Sequence, residues 1–395
     1  MRASMLELAG VSLIAACVSA PAIGGGVQQD RPIQIPRDRV LNVDMRVASV
    51  GPFTSAGAAP TTGLVWRADV PARPEMGAPR AVRVQVRLTG SLRDGTWTIR
   101  IKDGDGNETE RFAPGDPAVV AGELWTDEVP GAVAVVELWA AAADRLPVLR
   151  IEQLAYTVIP STPQAISGPD QRIPINLAPV RIRRLGPPVA RLRFMLAGQG
   201  QATCTGFLVG RRLLLTNQHC ITSAELASAV ADFGYDDASR APVRIRAEAL
   251  IASSASLDYS LLLLAREPGP AYGRLYVGSS PLSDEGHPLV IVQHPGGRPK
   301  QVSIADCRAA GVRRLGLAPG DFSDFGHLCD TLGGSSGSPV LDWNGGRVVG
   351  LHHLGFREGS PEPVNQAVHL ARVLDDIKRQ DAGGTVYAEV VAQPR

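Results

Sequence analysis

The stretch Cys329-Asp330-Thr331-Leu332-Gly333-Gly334-Ser335-Ser336-Gly337-Ser338-Pro339-Val340 gathers residue types that could carry out a reaction. Small or absent side chains let backbone N–H groups converge on one concavity. A serine on such a loop can attack a carbonyl carbon while donors on the same loop meet the oxyanion that develops. Gly/Ser clusters also build plain turns, so this chemistry requires a base, and an acid to orient it, elsewhere in the chain.

Upstream, Leu213-Leu214-Leu215-Thr216-Asn217-Gln218-His219-Cys220 reads as a buried strand that ends in a polar shoulder and presents His219 beside a cysteine. Cys204 and Cys220 bracket two strand-like runs. A bridge between them would hold His219 still, and closing a loop of that size contributes about 3 kcal/mol in the chain-entropy account. Asp258 stands at the threshold of another apolar run, Leu261 to Leu264. A carboxylate there is partly desolvated and needs a partner. A histidine N–H would make it useful, fixing the imidazole tautomer and stabilising the imidazolium.

In order, the chain offers Thr-Asn-Gln-His-Cys, Leu-Asp-Tyr-Ser-Leu-Leu and Gly-Ser-Ser-Gly-Ser-Pro-Val. Over about residues 189 to 378 it resembles the chymotrypsin-like serine peptidases, particularly the secreted bacterial branch that includes the glutamyl endopeptidases. Val292 to Gly297, Val348 to His353 and Asn365 to Val368 extend the resemblance. It implies two six-stranded β-barrels with the site in the cleft between them, and a C-terminal helix over Leu370 to Arg379. His219 matches the general base, Asp258 its orienting carboxylate and Ser336 the nucleophile, with the N–H groups of Gly334 and Ser336 as the oxyanion hole. The implied reaction is peptide-bond hydrolysis through an acyl-enzyme, with no metal or organic cofactor and a protein or peptide as substrate. One departure is Ser335, which stands where many animal members carry the aspartate that captures a freed N-terminus.

The resemblance gives conflicting signals on specificity. Asp330 matches the floor of the primary pocket, where a carboxylate favours Arg or Lys. Thr331 and His352 match positions that bind a glutamate side chain. Neighbours on a strand face opposite sides, so at most one of His352 and His353 enters the pocket.

These residues need a scaffold, and length allows one. At about 150 residues per domain, a chain of 395 residues suggests two folded units. A net charge of +1 gives no reason to expect a nucleic-acid partner. Residues 1–22 read as a secretory signal, with an apolar stretch from Leu8 to Val18 too short to span a membrane. Val18-Ser19-Ala20 suits ordinary cleavage, whereas Ile14-Ala15-Ala16-Cys17 suits lipoprotein processing with a lipid on Cys17. A secreted or periplasmic protein follows. Without Cys17 the cysteines are Cys204, Cys220, Cys307 and Cys329, an even number that allows three pairings. None has metal-ligand spacing, so disulfides are the simpler reading, and if Cys204 pairs with Cys220 then Cys307 is left with Cys329.

From 37 to 160 the pattern has period two, as in Arg80 to Leu88 and Trp97 to Lys102, which predicts a β-sandwich; the module resembles the jelly-roll-like sandwiches found beside secreted bacterial peptidases. Asp103-Gly104-Asp105-Gly106-Asn107-Glu108 reads as a hairpin turn, with a calcium loop as its rival. A Pro/Ser/Gly-rich linker is expected over 161–175, the peptidase domain over 176–380 and a tail over 381–395. Two other enzyme classes fit poorly. Gly333-Gly334-Ser335-Ser336-Gly337 matches the G-x-S-x-G elbow with Ser335 as nucleophile, but that fold places its Asp and His after the serine. No H-E-x-x-H zinc motif is present. The remaining rival is a secreted binding protein on an inactive peptidase scaffold. The sequence leaves the oligomeric state open.

Overall fold

Alternation makes the first unit. In the strand Ala81–Gly90, Val82, Val84, Val86 and Leu88 all point into one core. The computed structural model describes residues 28–29, 33–34, 40–46, 63–72, 81–141, 145–156, 164–166, 168–196, 200–356 and 364–393. The expected signal segment and Cys17 lie outside them.

Two antiparallel sheets form the sandwich. One runs Gly63–Pro71, Val133–Ala140, Thr98–Asp103, Glu108–Phe112, and the other Val40–Arg46, Pro147–Tyr156, Ala81–Gly90, Glu123–Trp125. Trp97, Ile99, Ile101, Val136, Leu138 and Ile151 fill the space between them. The 103–108 stretch is a hairpin turn: Asp103 Oδ1 accepts the N–H groups of Asp105 (3.0 Å) and Asn107 (2.8 Å). Its carboxylate is thus engaged by its own loop.

Alternation alone predicts that Arg83 and Gln85 face water, yet both are buried. Their face of the sheet meets the second unit. Arg83 Nε donates to Thr126 O at 2.8 Å within the sandwich, and its Nη2 donates to Ser228 O at 3.1 Å across the boundary. From the other side the buried Arg193 bonds Asp232 (2.7 and 2.8 Å) and pairs with Asp127 of the sandwich at 2.6 Å. Arg246 reaches Glu110 at 2.7 Å. Fully buried guanidinium groups persist only where carboxylates and carbonyls surround them, so these contacts fix how the two units meet.

The second unit begins with a closed barrel of six strands. Val189–Leu196, Val230–Phe233, Val243–Ser254, Tyr259–Leu264, Leu213–Thr216 and Gly200–Leu208 follow in order, and the last pairs back to the first. The second sheet runs Ile173–Pro174, Gln301–Ser303, Leu289–Gln293, Pro339–Asp342, Val348–Gly355, Asn365–His369, Asp324–His327. Its ring closes through single bridges, Pro288 to Arg308 and Ala309 to His327. Cys307, bonded to Cys329, anchors that segment.

The helix Leu370–Gln380 covers the barrels with Leu370, Val373, Leu374 and Ile377, an i, i+3, i+4, i+7 stripe. Two expectations are modified. Two stretches of the expected linker are paired into the second unit, Gln164–Ala165 with Thr331–Leu332 and Ile173–Pro174 with Gln301–Ser303. The expected tail contains the helix Thr385–Val391, whose Glu389 Oε1 accepts the N–H of Arg211 at 2.6 Å. That helix is too short to show a clear period in sequence. Among the described residues no helix is long and apolar enough to cross a membrane.

Candidate active site

His219 leaves the strand Leu213–Thr216 on the polar shoulder predicted for it. Cys220 is bonded to Cys204 one strand away, which fixes the turn beside it. His219 Nδ1 lies 2.7 Å from Asp258 Oδ2, and its backbone N–H donates to Asp258 Oδ1 at 2.9 Å. Asp258 is in the left-handed region (φ 48°), unusual for a residue with a side chain. Asn217 Nδ2 supports that turn by donating to Asp258 O at 2.8 Å. Burial alone would raise the Asp258 carboxyl, but His219 and then His353 hold it well below the usual carboxylate range. His219 Nε2 is buried and makes no hydrogen bond.

The Ser336 loop is tied to the same barrel. Thr205 donates its N–H to Ser336 O and its hydroxyl to Gly334 O, both at 2.8 Å. Gly337 donates its N–H to His352 O at 2.9 Å. Gly337 needs to be glycine: at φ 83° a Cβ would stand 2.1 Å from Thr205 O and 2.4 Å from Thr216 Oγ1. The Ser336 loop therefore lies against the shoulder that carries His219. The two serines differ. Ser335 Oγ donates to Gln293 Oε1 and accepts the N–H of Leu332 at 3.1 Å, so its hydroxyl is a structural pin.

The expected disulfides, Cys204–Cys220 and Cys307–Cys329, are both present. Cys204, His219 and Cys220 lie close enough to suggest a metal centre. Both sulfurs are bonded to each other, however, and offer no thiolate.

The specificity candidates fall in three environments. Asp330 is buried; its Oδ2 accepts the N–H of Gln171, and its carbonyl accepts from Gln293 and Ser303. Thr331 lies in the short pairing with Gln164–Ala165, and its hydroxyl is buried without a hydrogen bond. His352 Nδ1 meets His327 Nε2 at 3.1 Å. Burial, then the neighbouring histidines, pushes His327 well below the usual histidine value. The next residue, His353, turns the other way, with Nδ1 3.3 Å from Asp258 Oδ2 and Nε2 2.7 Å from Asp324 Oδ2. Burial would lower it, but Asp324 and Asp258 together raise it to about 9.

Sequence reasoning assigned no role to His353, Asp324 or His327. The doubled histidine on one strand was the available signal, since its two faces must meet different partners.

Residues 204–351 match the family model described as a trypsin-like peptidase domain. That part of the second unit is thus similar to a trypsin-like peptidase domain. A secreted RxLR effector protein of Plasmopara viticola is 34% identical over 197 residues, 45% of this chain and 46% of that protein. An uncharacterized protein of Sinorhizobium fredii is 33% identical over 168 residues, 38% of this chain and 25% of that one. The match spans about half of the first relative and a quarter of the second. Among solved structures, the active form of the Rv3671c protease of M. tuberculosis aligns at TM-score 0.41 and 21% identity, covering 60% of this chain and 94% of that one. The HtrA-type protease AlgW with a decapeptide aligns at TM-score 0.41 and 16% identity, covering 51% and 67%.

Proposed function

We propose that this chain is a secreted serine endopeptidase. The observation that carries the reading is the double attachment of His219 to the Asp258 carboxylate, 2.7 Å at the ring and 2.9 Å at the main chain. It leaves Nε2 as the nitrogen able to take a proton. In this reading Ser336 Oγ attacks the scissile carbonyl as its proton passes to His219 Nε2. The N–H groups of Gly334 and Ser336 hold the oxyanion. The imidazolium, stabilised by Asp258, then protonates the leaving amine, and water repeats the sequence on the acyl-enzyme.

The substrate is a protein or peptide. For the residue before the scissile bond, the Gln171 N–H on Asp330 Oδ2 weighs against a carboxylate dedicated to Arg or Lys. Thr331 and His352 then favour an acidic side chain. Cleavage-site profiling of a denatured protein by mass spectrometry tests this, and cuts after Arg and Lys would overturn it. Two disulfides support an oxidising compartment, secreted or periplasmic.

The alternative is an inactive binding protein on this scaffold, a reading kept in view because one relative is described as a secreted effector. A fluorophosphonate probe decides between them. Labelling of the native protein that disappears in Ser336→Ala is expected. No labelling, while a known peptidase labels under the same conditions, would favour the binder.

A further inference from the structure

Asp258 serves two histidines. Its Oδ2 lies 2.7 Å from His219 Nδ1 and 3.3 Å from His353 Nδ1, while His353 Nε2 lies 2.7 Å from Asp324 Oδ2. Asp258, His353 and Asp324 are all buried. An ionised carboxylate only accepts hydrogen bonds, and a neutral imidazole has one N–H to give. Neutral His353 would therefore satisfy one carboxylate and turn a lone pair on the other. With both nitrogens protonated it satisfies both.

We propose that His353 is a positioning residue for the peptidase chemistry: an imidazolium clamped between Asp258 and Asp324 that fixes the Asp258 carboxylate behind His219 and offsets the charge of Asp324. The inference rests on the triad reading given above. It also explains how a second carboxylate is tolerated so near the first.

The charge count is simple. Asp258, His353 and Asp324 together carry one net negative charge, which is what His219 faces. The surrounding groups are the same in the parent and in each variant compared below. His327 and His369 are both pushed below the usual histidine value, by burial first. Ser323 Oγ donates to Asp324 Oδ1 at 2.8 Å, and Arg314 Nε donates to Ala310 O. Removing the imidazolium leaves two negative charges behind His219, which favours its protonated form.

The test is the pH dependence of kcat/KM for the full chain. In His353→Gln the acid limb should move up by about one pH unit or more, the scale set by a nearby charge. In His353→Gln/Asp324→Asn, where the count returns to one, it should fall back toward the parent value. Ring 15N shifts of His353 in the labelled parent protein give a second readout and should show both nitrogens protonated at pH 8. A neutral His353 at that pH, or a folded His353→Gln whose acid limb coincides with the parent, overturns the proposal. Should the single variant not fold, the ring shifts and the double variant decide. Absence of fluorophosphonate labelling in the parent would sink the peptidase reading instead, and the ring shifts separate the two failures.

A different observation supports a second inference. Pro339–Asp342 pairs with Val348–Gly355 only as far as Leu351, because the chain there leaves for the Ser336 loop. Beyond it, Gln28–Gln29 takes the open edge antiparallel, Gln28 opposite Gly355 and Gln29 opposite Leu354. On the other flank, Leu213–Thr216 pairs with Gly200–Leu208 only at Phe207 and Leu208. Ile33–Gln34 takes that edge, Ile33 opposite Thr203 and Gln34 opposite Ala202. Both edges belong to strands bonded to the nucleophile's own loop, through Thr205 and His352, and Ser336 is fully buried.

We infer that the N-terminal pairings hold this chain's own segment on the two edges where an extended peptide substrate would add as a strand. The segment must leave before a substrate enters. Proline in a pairing position removes a ladder donor, so Gln29→Pro/Gln34→Pro in the full chain should raise kcat/KM on a peptide substrate several-fold by lowering KM. A synthetic peptide of residues 27–36 should inhibit that variant competitively or be cut by it. Unchanged kinetics together with an inert peptide would overturn the inference, whereas a variant that no probe labels would count against the peptidase reading.

Discussion

Asp258 holds His219 from two directions, with Oδ2 at 2.7 Å from the ring Nδ1 and Oδ1 accepting the main-chain N–H at 2.9 Å. One carboxylate thereby sets both the tautomer and the position of His219. In Asp258→Asn the oxygen can keep the main-chain bond, but the amide would then offer a donor to Nδ1 and turn the ring to the wrong tautomer. Turnover should fall by about 10³–10⁴-fold, the scale known for this change in such triads. Steady-state kinetics beside a melting curve check it; a drop explained by unfolding would show in the curve.

Ser335 and Ser336 should separate cleanly. Ser336→Ala should lower turnover by four to six orders of magnitude, roughly the range for removal of a triad serine. Ser335→Ala removes the pin between Gln293 and the Leu332 N–H. It should cost about 1–3 kcal/mol of stability through the unpaired buried groups, yet still label at Ser336 with a fluorophosphonate. Mapping the labelled peptide decides, and label on Ser335 would reverse the assignment.

The parts legible in sequence were those with a local signal. Period-two alternation marked the strands around Val82–Leu88 and Ile99–Ile101, and small residues marked the loop at 333–338. What lay hidden depended on distant partners. Nothing near Arg83 says that it is buried, because its acceptor Ser228 O and its neighbour Arg193 belong to the other unit. Asp324 stands 29 residues before His353 and has no motif of its own. The N–H that meets Asp330 Oδ2 comes from Gln171, 159 residues away in the linker.

The buried charges between the units make their docking sensitive to acid. Burial would raise Asp127, but Arg193 and Arg244 hold it well below the usual value; Glu128 is likewise lowered, to about 2, chiefly by Arg193 against burial. Carboxyls depressed on folding contribute stability that is full above their unfolded values and is lost as pH falls through the folded ones. Urea unfolding midpoints should therefore hold from pH 7 to about 5 and decline between about 4 and 2. Asp127→Ala leaves Arg193 without one of its buried partners and should cost about 3–5 kcal/mol. An acid limb shallower in Asp127→Ala than in the parent, with Glu128 still contributing, would match this origin; parallel declines would not.

Gly337 tests whether the loop's fit against the first barrel sets the geometry of attack. It sits at φ 83°, and an added Cβ would meet two atoms of the His219 barrel, Thr205 O at 2.1 Å and Thr216 Oγ1 at 2.4 Å. Thr205 cannot retreat easily, because its N–H and hydroxyl already bond Ser336 O and Gly334 O. Gly337→Ala must therefore push the Ser336 loop away from His219. A displacement near 1 Å can cost about 10²-fold in rate, so kcat should fall at least that far. Gly131 provides the control, with a similar φ of 87° in a turn of the sandwich and nothing within 4 Å of an added Cβ. Gly131→Asn should change stability by under about 1 kcal/mol, since Asn tolerates the left-handed region, and should leave kcat at the parent value. Equal kcat in Gly337→Ala and the parent would mean that the loop finds its geometry without this contact.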